Sequence, residues 1–533
     1  MNINVIKVIT ILLAVSVAAD LAAVFKRSLM MLQLNSYRNE RFTRWFNQSG
    51  ESTNPWRLAA CIALFFTMVN HIPEVFKIGI ASIIIICNFI YLCRKRYKKP
   101  LVFTPRARRL YAVMLGLALL IPGIIGLLCE DFVTACKVGI VEIVVSPLFA
   151  LGANILLRPV EKSINKKYYN EAASILKSMP HLKVVGITGS YGKTSTKHYL
   201  YHILNQEFET LMTPGSYNTP MGVIRTVREM MRPYTQVFIV EMGAKQPGDI
   251  KEICDLVHPA TGIITAVGEQ HLETFGSVEN VCRTKFELAD ALLDDGLIVV
   301  NDGFEVARNR VVKNVACQRY YAGNDKEIAS NADYRVSEVV YRQSGTWFTV
   351  EGPDGYRGEY YTPLMGECNI ANLLGAIAVA RHLGVPEQKI AYALSTMPQV
   401  EHRLSTRLTP GGLTIIDDAF NSNPQGSSMA LDVLALLEIP GKRIIITPGM
   451  IELGTRQYDA NREFGEKIGE CADVAIIVGQ YNRDAILDGI GDKIDKEKVI
   501  CAPDFATAQQ EMISIAERGD AVLYENDLPD TFK

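Results

Sequence analysis

Residues 182 to 204, LKVVGITGSYGKTSTKHYLYHIL, pass from an apolar strand through a glycine-rich turn into a helix, and few folds accept that succession. A β-branched run followed at once by such a helix belongs to a parallel α/β sheet. The turn ends in Gly192-Lys193-Thr194. Gly189, Ser190 and Gly192 are small enough for consecutive backbone N–H groups to converge, Lys193 adds a cation, and Thr194 offers a hydroxyl to Mg²⁺ at the start of the helix. This is the grammar of a phosphate cradle. The usual eight-residue form would place glycine where this chain has Ile187, so the cradle is a variant. The alternative is an ordinary strand-to-helix turn.

The rest of the chain divides into an apolar part and a soluble one. At 533 residues it predicts about three domains. A net charge of −2 leaves no electrostatic footprint for nucleic acid. The hydrophobic content of 48% is high for a soluble enzyme, and the excess lies in residues 1–157. Apolar runs at 5–25, 58–73, 75–93, 110–129 and 133–157 predict five membrane spans, the fifth interrupted by Glu142 and Pro147. Basic residues crowd the segments 26–57, 94–109 and 158–167, whereas Glu74, Glu130 and Asp131 mark the other loops. That asymmetry places the N-terminus outside and everything after residue 158 in the cytoplasm. A cleaved signal peptide over the first run is the alternative, but a small-residue cleavage site is wanting. The eleven cysteines show no CxxC pair and read as packing residues in a reducing compartment, with neither disulfide framework nor zinc site.

From residue 182 the chain alternates short β-branched runs (LKVVGIT, QVFIVEMG, TGIITAV, GLIVVN) with helical stretches, and a second set follows Pro398 (LTIIDD, RIIITPG, VAIIVG, AVLYEN). The predicted fold is therefore multi-domain: transmembrane helices over 1–160, an α/β phosphate-binding central domain over 161–398, and a Rossmann-like α/β domain over 399–533. A hairpin region near 335–362 belongs to the central domain.

Two further residues stand where ligands bind in parallel sheets. Strand QVFIVE ends at Glu241, a carboxylate at the carboxyl edge and a candidate magnesium ligand. His271 follows the strand TGIITAV and is a second candidate, although a lone loop histidine is more often a surface residue.

Taken in order, TGSYGKTS, TPGSYNTPMGV, VEMGAKQPGDI, HLETFGSVENVCRTKFEL, GECNIANLLGAIAVA, EHR and IIDDAFNSNP resemble the Mur ligases over about residues 183–450, and within that family its D-alanyl-D-alanine-adding branch. The resemblance implies an ATP-dependent carbon–nitrogen ligase of peptidoglycan synthesis that uses Mg²⁺ and acts through an acyl phosphate. It places Gly189, Ser190, Gly192, Lys193 and Thr194 on the phosphates, and Thr194, Glu241 and His271 on magnesium. Lys285 falls where some members carry a carbamylated lysine holding a second metal; a plain Lys285 pairing with the acyl phosphate is the other possibility. Asn369 and Asn372 match the adenine contacts, Arg403 the phosphates, Asp418 the ribose, and Asn218, Thr219, Asn421 and Asn423 the substrate side.

The family's UDP-gripping N-terminal domain is replaced here by the apolar runs. The acceptor is therefore expected at the bilayer, as a small-molecule or lipid-linked envelope precursor joined to an amino acid or dipeptide, or else gripped with the help of envelope-biosynthesis partners; no nucleic acid is expected. Cys368, where the adding enzymes have histidine, and the ending YENDLPDTFK depart from the family and bear on the amine. The competing readings are a transport ATPase, which would want an LSGGQ-like signature, and a non-catalytic scaffold, which intact Lys193, Glu241, His271, Arg403 and Asp418 oppose.

Overall fold

A computed structural model describes residues 3–97, 99–269, 272–342, 345–419 and 423–526. It divides into two compact units that meet in sequence at Lys166 and Lys167.

The first unit is helical: α1 (Ile3–Leu34), α2 (Asn39–Gln48), α3 (Pro55–Met68), α4 (Glu74–Arg94), α5 (Pro105–Cys129), α6 (Phe132–Val144) and α7 (Ser146–Leu156), with α8 (Arg158–Lys177) leading out of it. Helix α1 is central, with Leu13, Val17, Val24 and Phe25 buried among residues of the other helices such as Ala60, Ile85, Met114 and Ile140. Small residues let the helices close up; a Cβ on Gly139 would lie 2.7 Å from Val17 Cγ1.

Five spans were expected; among the described residues three helices, α1, α4 and α5, are long and apolar enough to cross a membrane, which makes up to four spans if α6 and α7 count as one broken span. Two local causes explain the difference. The expected fifth span bends by 81° between α6 and α7. Pro147 sits in the first turn of α7, where it lacks an N–H and its ring opposes the carbonyl four residues back. The expected second span is only the 14 residues of α3; at 1.5 Å per residue that is about 21 Å, short of a hydrocarbon layer of about 30 Å.

The second unit carries two sheets. The first is ordered β2-β3-β1-β4-β5-β6-β7-β8-β9, from β1 (Lys183–Thr188), β2 (Thr210–Met212), β3 (Val237–Glu241), β4 (Thr261–Ile264), β5 (Leu297–Asn301), β6 (Ala316–Tyr321), β7 (Tyr334–Arg342), β8 (Gly345–Gly352) and β9 (Tyr356–Thr362). Strands β1 to β6 pair in parallel, and β7 to β9 form the expected antiparallel hairpins. Its helices are α9 (Lys193–Leu204), α10 (Pro220–Met230), α11 (Asp249–Val257), α12 (Leu272–Phe275), α13 (Val278–Asp290), α14 (Glu305–Arg308), α15 (Lys326–Asn331), α16 (Glu367–His382) and α17 (Glu387–Ser395). The strands are β-branched because both faces are covered: Val185, Ile187 and Ile239 pack toward α9 and α16, and Val184, Phe238 and Val240 toward α10, α11 and α13.

The second sheet is ordered β10-β11-β15-β12-β13-β14, from β10 (Ser405–Leu408), β11 (Thr414–Asp418), β12 (Arg443–Thr447), β13 (Val474–Val478), β14 (Val499–Ala502) and β15 (Ala521–Glu525), with helices α18 (Pro424–Leu436), α19 (Gln457–Cys471), α20 (Arg483–Ile490) and α21 (Phe505–Ile515). Only the β10–β11 pair is antiparallel. In both sheets the parallel strands end toward loops that carry the polar residues singled out above, as open α/β sheets place their ligand crevices.

Candidate active site

Strands β1, β3 and β4 end side by side, since Ile187 pairs with Glu241 and with Ile263. The loop after β1 is held from below: Ser190 N donates to Ala266 O (2.7 Å), and Ser190 Oγ donates to Gly268 O (3.0 Å). Gly192 has a left-handed backbone, φ +78°, immediately before α9, so the first N–H groups of that helix face the loop.

Lys193 folds back over this loop, donating from Nζ to Gly189 O (2.7 Å) and Ser190 O (3.0 Å). Burial pushes its ammonium down to about 8, against the pull of nearby Glu241. A cation so placed meets the requirement of a phosphate-binding lysine, close to the anion and poorly hydrated.

Glu241 is 1% exposed and fully engaged. Oε2 accepts from Thr194 Oγ1 (3.1 Å) and Lys197 Nζ (3.0 Å), and Oε1 accepts from Asn218 Nδ2 (3.1 Å). Burial raises its pKa, but Lys197 and Lys193 outweigh that, and the carboxyl lies below its ordinary value. Lys197 is wholly buried and also donates to Gly215 O, which ties the loop of residues 213–219 to α9. Thr219 N-caps α10 by accepting from Gly222 N (3.3 Å). A carboxylate and a hydroxyl 3.1 Å apart beside a phosphate loop are the hard oxygen donors that suit Mg²⁺. No group of three or more acidic, histidine or cysteine side chains that could hold a metal occurs among the described residues.

The cleft beside the loop is lined from both sheets: Tyr191, Gly192 and Thr194 from the loop and α9, Asn369 and Asn372 from α16, and Arg403, Asp418 and Asn423 from the second sheet's side. Asn369 Oδ1 accepts from Tyr199 OH (2.7 Å) and its Nδ2 donates to Met365 O (2.8 Å), while Asn372 Oδ1 accepts from Thr196 Oγ1 (3.2 Å). Glu241 favours the charged form of Arg403, Arg403 disfavours that of Lys193, and burial raises the Asp418 carboxyl to about 6 with Arg403 pulling the other way. The segment carrying Arg403 is unusual: His402 (φ 58°) and Leu404 (φ 55°) on either side have left-handed backbones. Asp418 Oδ1 fixes this bend by accepting from Leu404 N (3.0 Å).

The cradle, Glu241, Asn218, both α16 asparagines, Arg403 and Asp418 thus converge, and Asn423 joins them as the N-cap of α18, accepting from Gly426 N (3.0 Å). Lys285, on α13, is buried, and burial with the charge of nearby Lys193 pushes its amine well below the ordinary value. His271 and Asn421 lie outside the described residues. Sequence reasoning passed over Lys197, although it stands one helical turn from Lys193 and so shares its face. It also passed over Tyr191 and Phe304, which meet edge to face (74°) at the cleft wall.

Two family models match the second unit: the Mur ligase middle domain over residues 187–380, and the Mur ligase, glutamate ligase domain over residues 402–524. Together they cover more than half of the chain. The UDP-N-acetylmuramoyl-tripeptide--D-alanyl-D-alanine ligase of Escherichia coli is 28% identical over 402 residues, 73% of this chain and 85% of that protein. The enzyme of the same name from Bacillus subtilis is 28% identical over 344 residues, 64% of this chain and 72% of its own length. Among solved structures, MurF from Acinetobacter baumannii has a TM-score of 0.60 at 25% identity, covering 68% of this chain and 78% of that one. The MurF ligase of Thermotoga maritima in complex with ADP has a TM-score of 0.60 at 24% identity, over 68% of this chain and 80% of that one.

Proposed function

This chain belongs to the Mur ligase family, and we propose that it is a membrane-anchored, ATP-dependent ligase forming a peptide bond on a peptidoglycan-type precursor through an acyl phosphate. The observation that supports this best is that Arg403 and Asp418, from the second sheet's side, line the same cleft as the glycine loop and the α16 asparagines of the first. A simple hydrolase has no need of a charged group brought from a second sheet.

The chemistry follows from the need to activate a carboxylate. A carboxylate oxygen attacks the γ-phosphorus of ATP and ADP leaves; the amine then attacks the acyl carbon, and inorganic phosphate leaves with that oxygen. Lys193 and Arg403 neutralise charge on the transferring phosphoryl group and on the oxyanion of the second step. Asn218 and Lys197 hold the Glu241 carboxylate toward Thr194. Magnesium, held by Thr194 and Glu241, and by His271 in the family pattern, would supply further positive charge at the phosphates. Lys285 is proposed to act as a carbamylated metal ligand or as a plain cation on the acyl phosphate. Asn369, Asn372 and Asp418 are proposed to hold the nucleoside, Asn421 and Asn423 the incoming amine, and Asn218 and Thr219 the substrate.

In this reading the three apolar helices α1, α4 and α5 anchor the enzyme, with the ligase domains in the cytoplasm. The test uses the full chain in detergent with ATP, Mg²⁺, a muramoyl tripeptide and D-alanyl-D-alanine. Phosphate release is expected only with both carboxylate and amine, and ¹⁸O from the carboxyl is expected in the phosphate. ATP hydrolysis indifferent to both substrates would overturn the proposal.

A further inference from the structure

One end of the helical unit gathers the C-termini of α1, α4 and α7 with the N-termini of α3 and α5, joined by hydrogen bonds of Arg27 with Tyr97 and Glu51, Trp56 with Glu51, and Asn154 with Arg106 and Tyr37 O. There Glu51 and Arg27, both nearly buried, form a two-pronged ion pair: Arg27 Nε donates to Oε1 (3.0 Å) and Nη2 to Oε2 (2.6 Å). Trp56 Nε1 (3.2 Å) and Asn54 Nδ2 (3.4 Å) donate to the same carboxylate. Glu51 is therefore fully used.

Arg57, in the first turn of α3, is a second guanidinium at this place and only 6% exposed. It lies against Phe46 of α2 (4.6 Å to the ring centroid) and Trp56 (4.8 Å), and among the described residues its Nε and Nη2 have no hydrogen-bond partner. Two arginines share one carboxylate, and N–H groups that need an anion remain. The start of α3 adds the positive end of a helix, since Asn54 makes no side-chain cap there. Below it, Leu58, Ile62 and Phe65 form an exposed apolar stripe one turn apart along α3.

We infer that Arg57 and the start of α3 bind the phosphate of an amphiphile whose apolar chain lies along Leu58, Ile62 and Phe65. The aromatic rings hold the guanidinium rigid, so little side-chain freedom is lost when its buried Nε and Nη2, unpartnered among the described residues, take the phosphate. The inference rests on reading the helical unit as a membrane anchor and is independent of ligase turnover. Its ligand chemistry, a phosphate ester, could come from a lipid or from a soluble metabolite, and the apolar stripe favours the lipid.

Native mass spectrometry of the full chain in detergent, with saturating ADP to fill the phosphate loop, reads this directly. The probes are dodecyl phosphate, inorganic phosphate and dodecylphosphocholine. The wild type is expected to retain dodecyl phosphate where it retains neither of the others, and Arg57→Gln to weaken that binding about 10- to 100-fold, with Arg57→Lys between them. Equal retention by Arg57→Gln, at unchanged helical content, would overturn the site. So would a wild type that holds inorganic phosphate or dodecylphosphocholine as well as dodecyl phosphate, a result that needs no variant to fold. Failure to retain ADP in the same spectra counts against the ligase reading alone.

Discussion

Lys197 of α9 and Glu241 at the end of β3 form an ion pair of 3.0 Å with side-chain exposures of 0% and 1%. Neither charge has water to fall back on. The pair holds the carboxylate toward Thr194, and through Gly215 O it holds the loop that carries Asn218. Removing one member leaves the other charged, buried and unpaired. Lys197→Met should therefore cost about 3–5 kcal/mol of stability, measured by chemical denaturation of the full chain. A loss below about 1 kcal/mol would mean that the pair is not closed in solution.

Lys193 tests the chemistry rather than the fold. Among the described residues its ammonium is hydrogen-bonded only to the loop carbonyls of Gly189 and Ser190, which a phosphate would replace. Lys193→Ala should leave the melting temperature without ADP within a few degrees of the wild type and reduce turnover by about 10²–10³ or more, the scale of losing one charged transition-state contact. A variant retaining a tenth of the activity would remove Lys193 from the phosphoryl transfer.

Much of this arrangement is legible in the letters, and the reason is burial. LKVVGIT, QVFIVEMG and TGIITAV became β1, β3 and β4 because parallel strands covered on both faces must be apolar throughout. Strands β2, β6, β10 and β14 escaped notice: three or four residues are too few to show a period, and the six of β6, ACQRYY, are mostly half-buried and show no apolar run. The α3 and α6–α7 segments misled for separate reasons: α3 keeps only 14 helical residues of its apolar run, and Pro147, visible in the letters, does not say that the helix turns by 81°. Lys197 escaped because a lysine in a polar-looking helix reads as a solvated face, and only the three-dimensional closeness of Glu241 turns it inward. The asparagines of α16 carry no local signal and came from the resemblance alone.

Arg403 lies between two residues with left-handed backbones, a conformation that costs non-glycine residues about 1 kcal/mol each and persists where surroundings enforce it. In the proposed mechanism the bend would present arginine's planar fork to the phosphates. Arg403→Lys keeps the charge but loses that geometry, and a fall in kcat of about 10- to 100-fold is expected, with a smaller change in KM for ATP. If lysine restored full kcat, Arg403 would act as a bulk charge only.

His198 gives the second unit a pH dependence. Burial first, and then nearby Lys197, push its imidazole from 6.5 to about 4, so it is neutral in the folded protein at pH 5. In the unfolded chain it takes up a proton below about 6.5. Folding stability attributable to this residue is therefore constant above about pH 7 and falls as the pH drops from about 6.5 to 4, by about 2 kcal/mol at pH 5. Denaturation of the wild type and of His198→Gln at pH 7.5 and pH 5 isolates this share. A wild type that loses no more stability than the variant would show that the ring is protonated when folded.

The glycine before α9 tests the cradle without touching a charge. A Cβ at Gly192 would lie 2.4 Å from Asn372 Oδ1 and would have to adopt φ +78°. Both obstacles act together, because the backbone cannot relax without moving the first turn of α9, where the phosphate-facing N–H groups are. Asn372 cannot withdraw freely, since it accepts from Thr196 on the same helix. Gly248 is the control: its φ is +91°, yet nothing lies within 4 Å of the added carbon. Gly192→Ala should weaken ADP binding by at least about tenfold in calorimetric titration, while Gly248→Ala lowers stability by about 1 kcal/mol and leaves the affinity alone. Equal ADP affinity in the two variants would separate the glycine turn from nucleotide binding, and the phosphate cradle would then have to be sought elsewhere on the sheet edge.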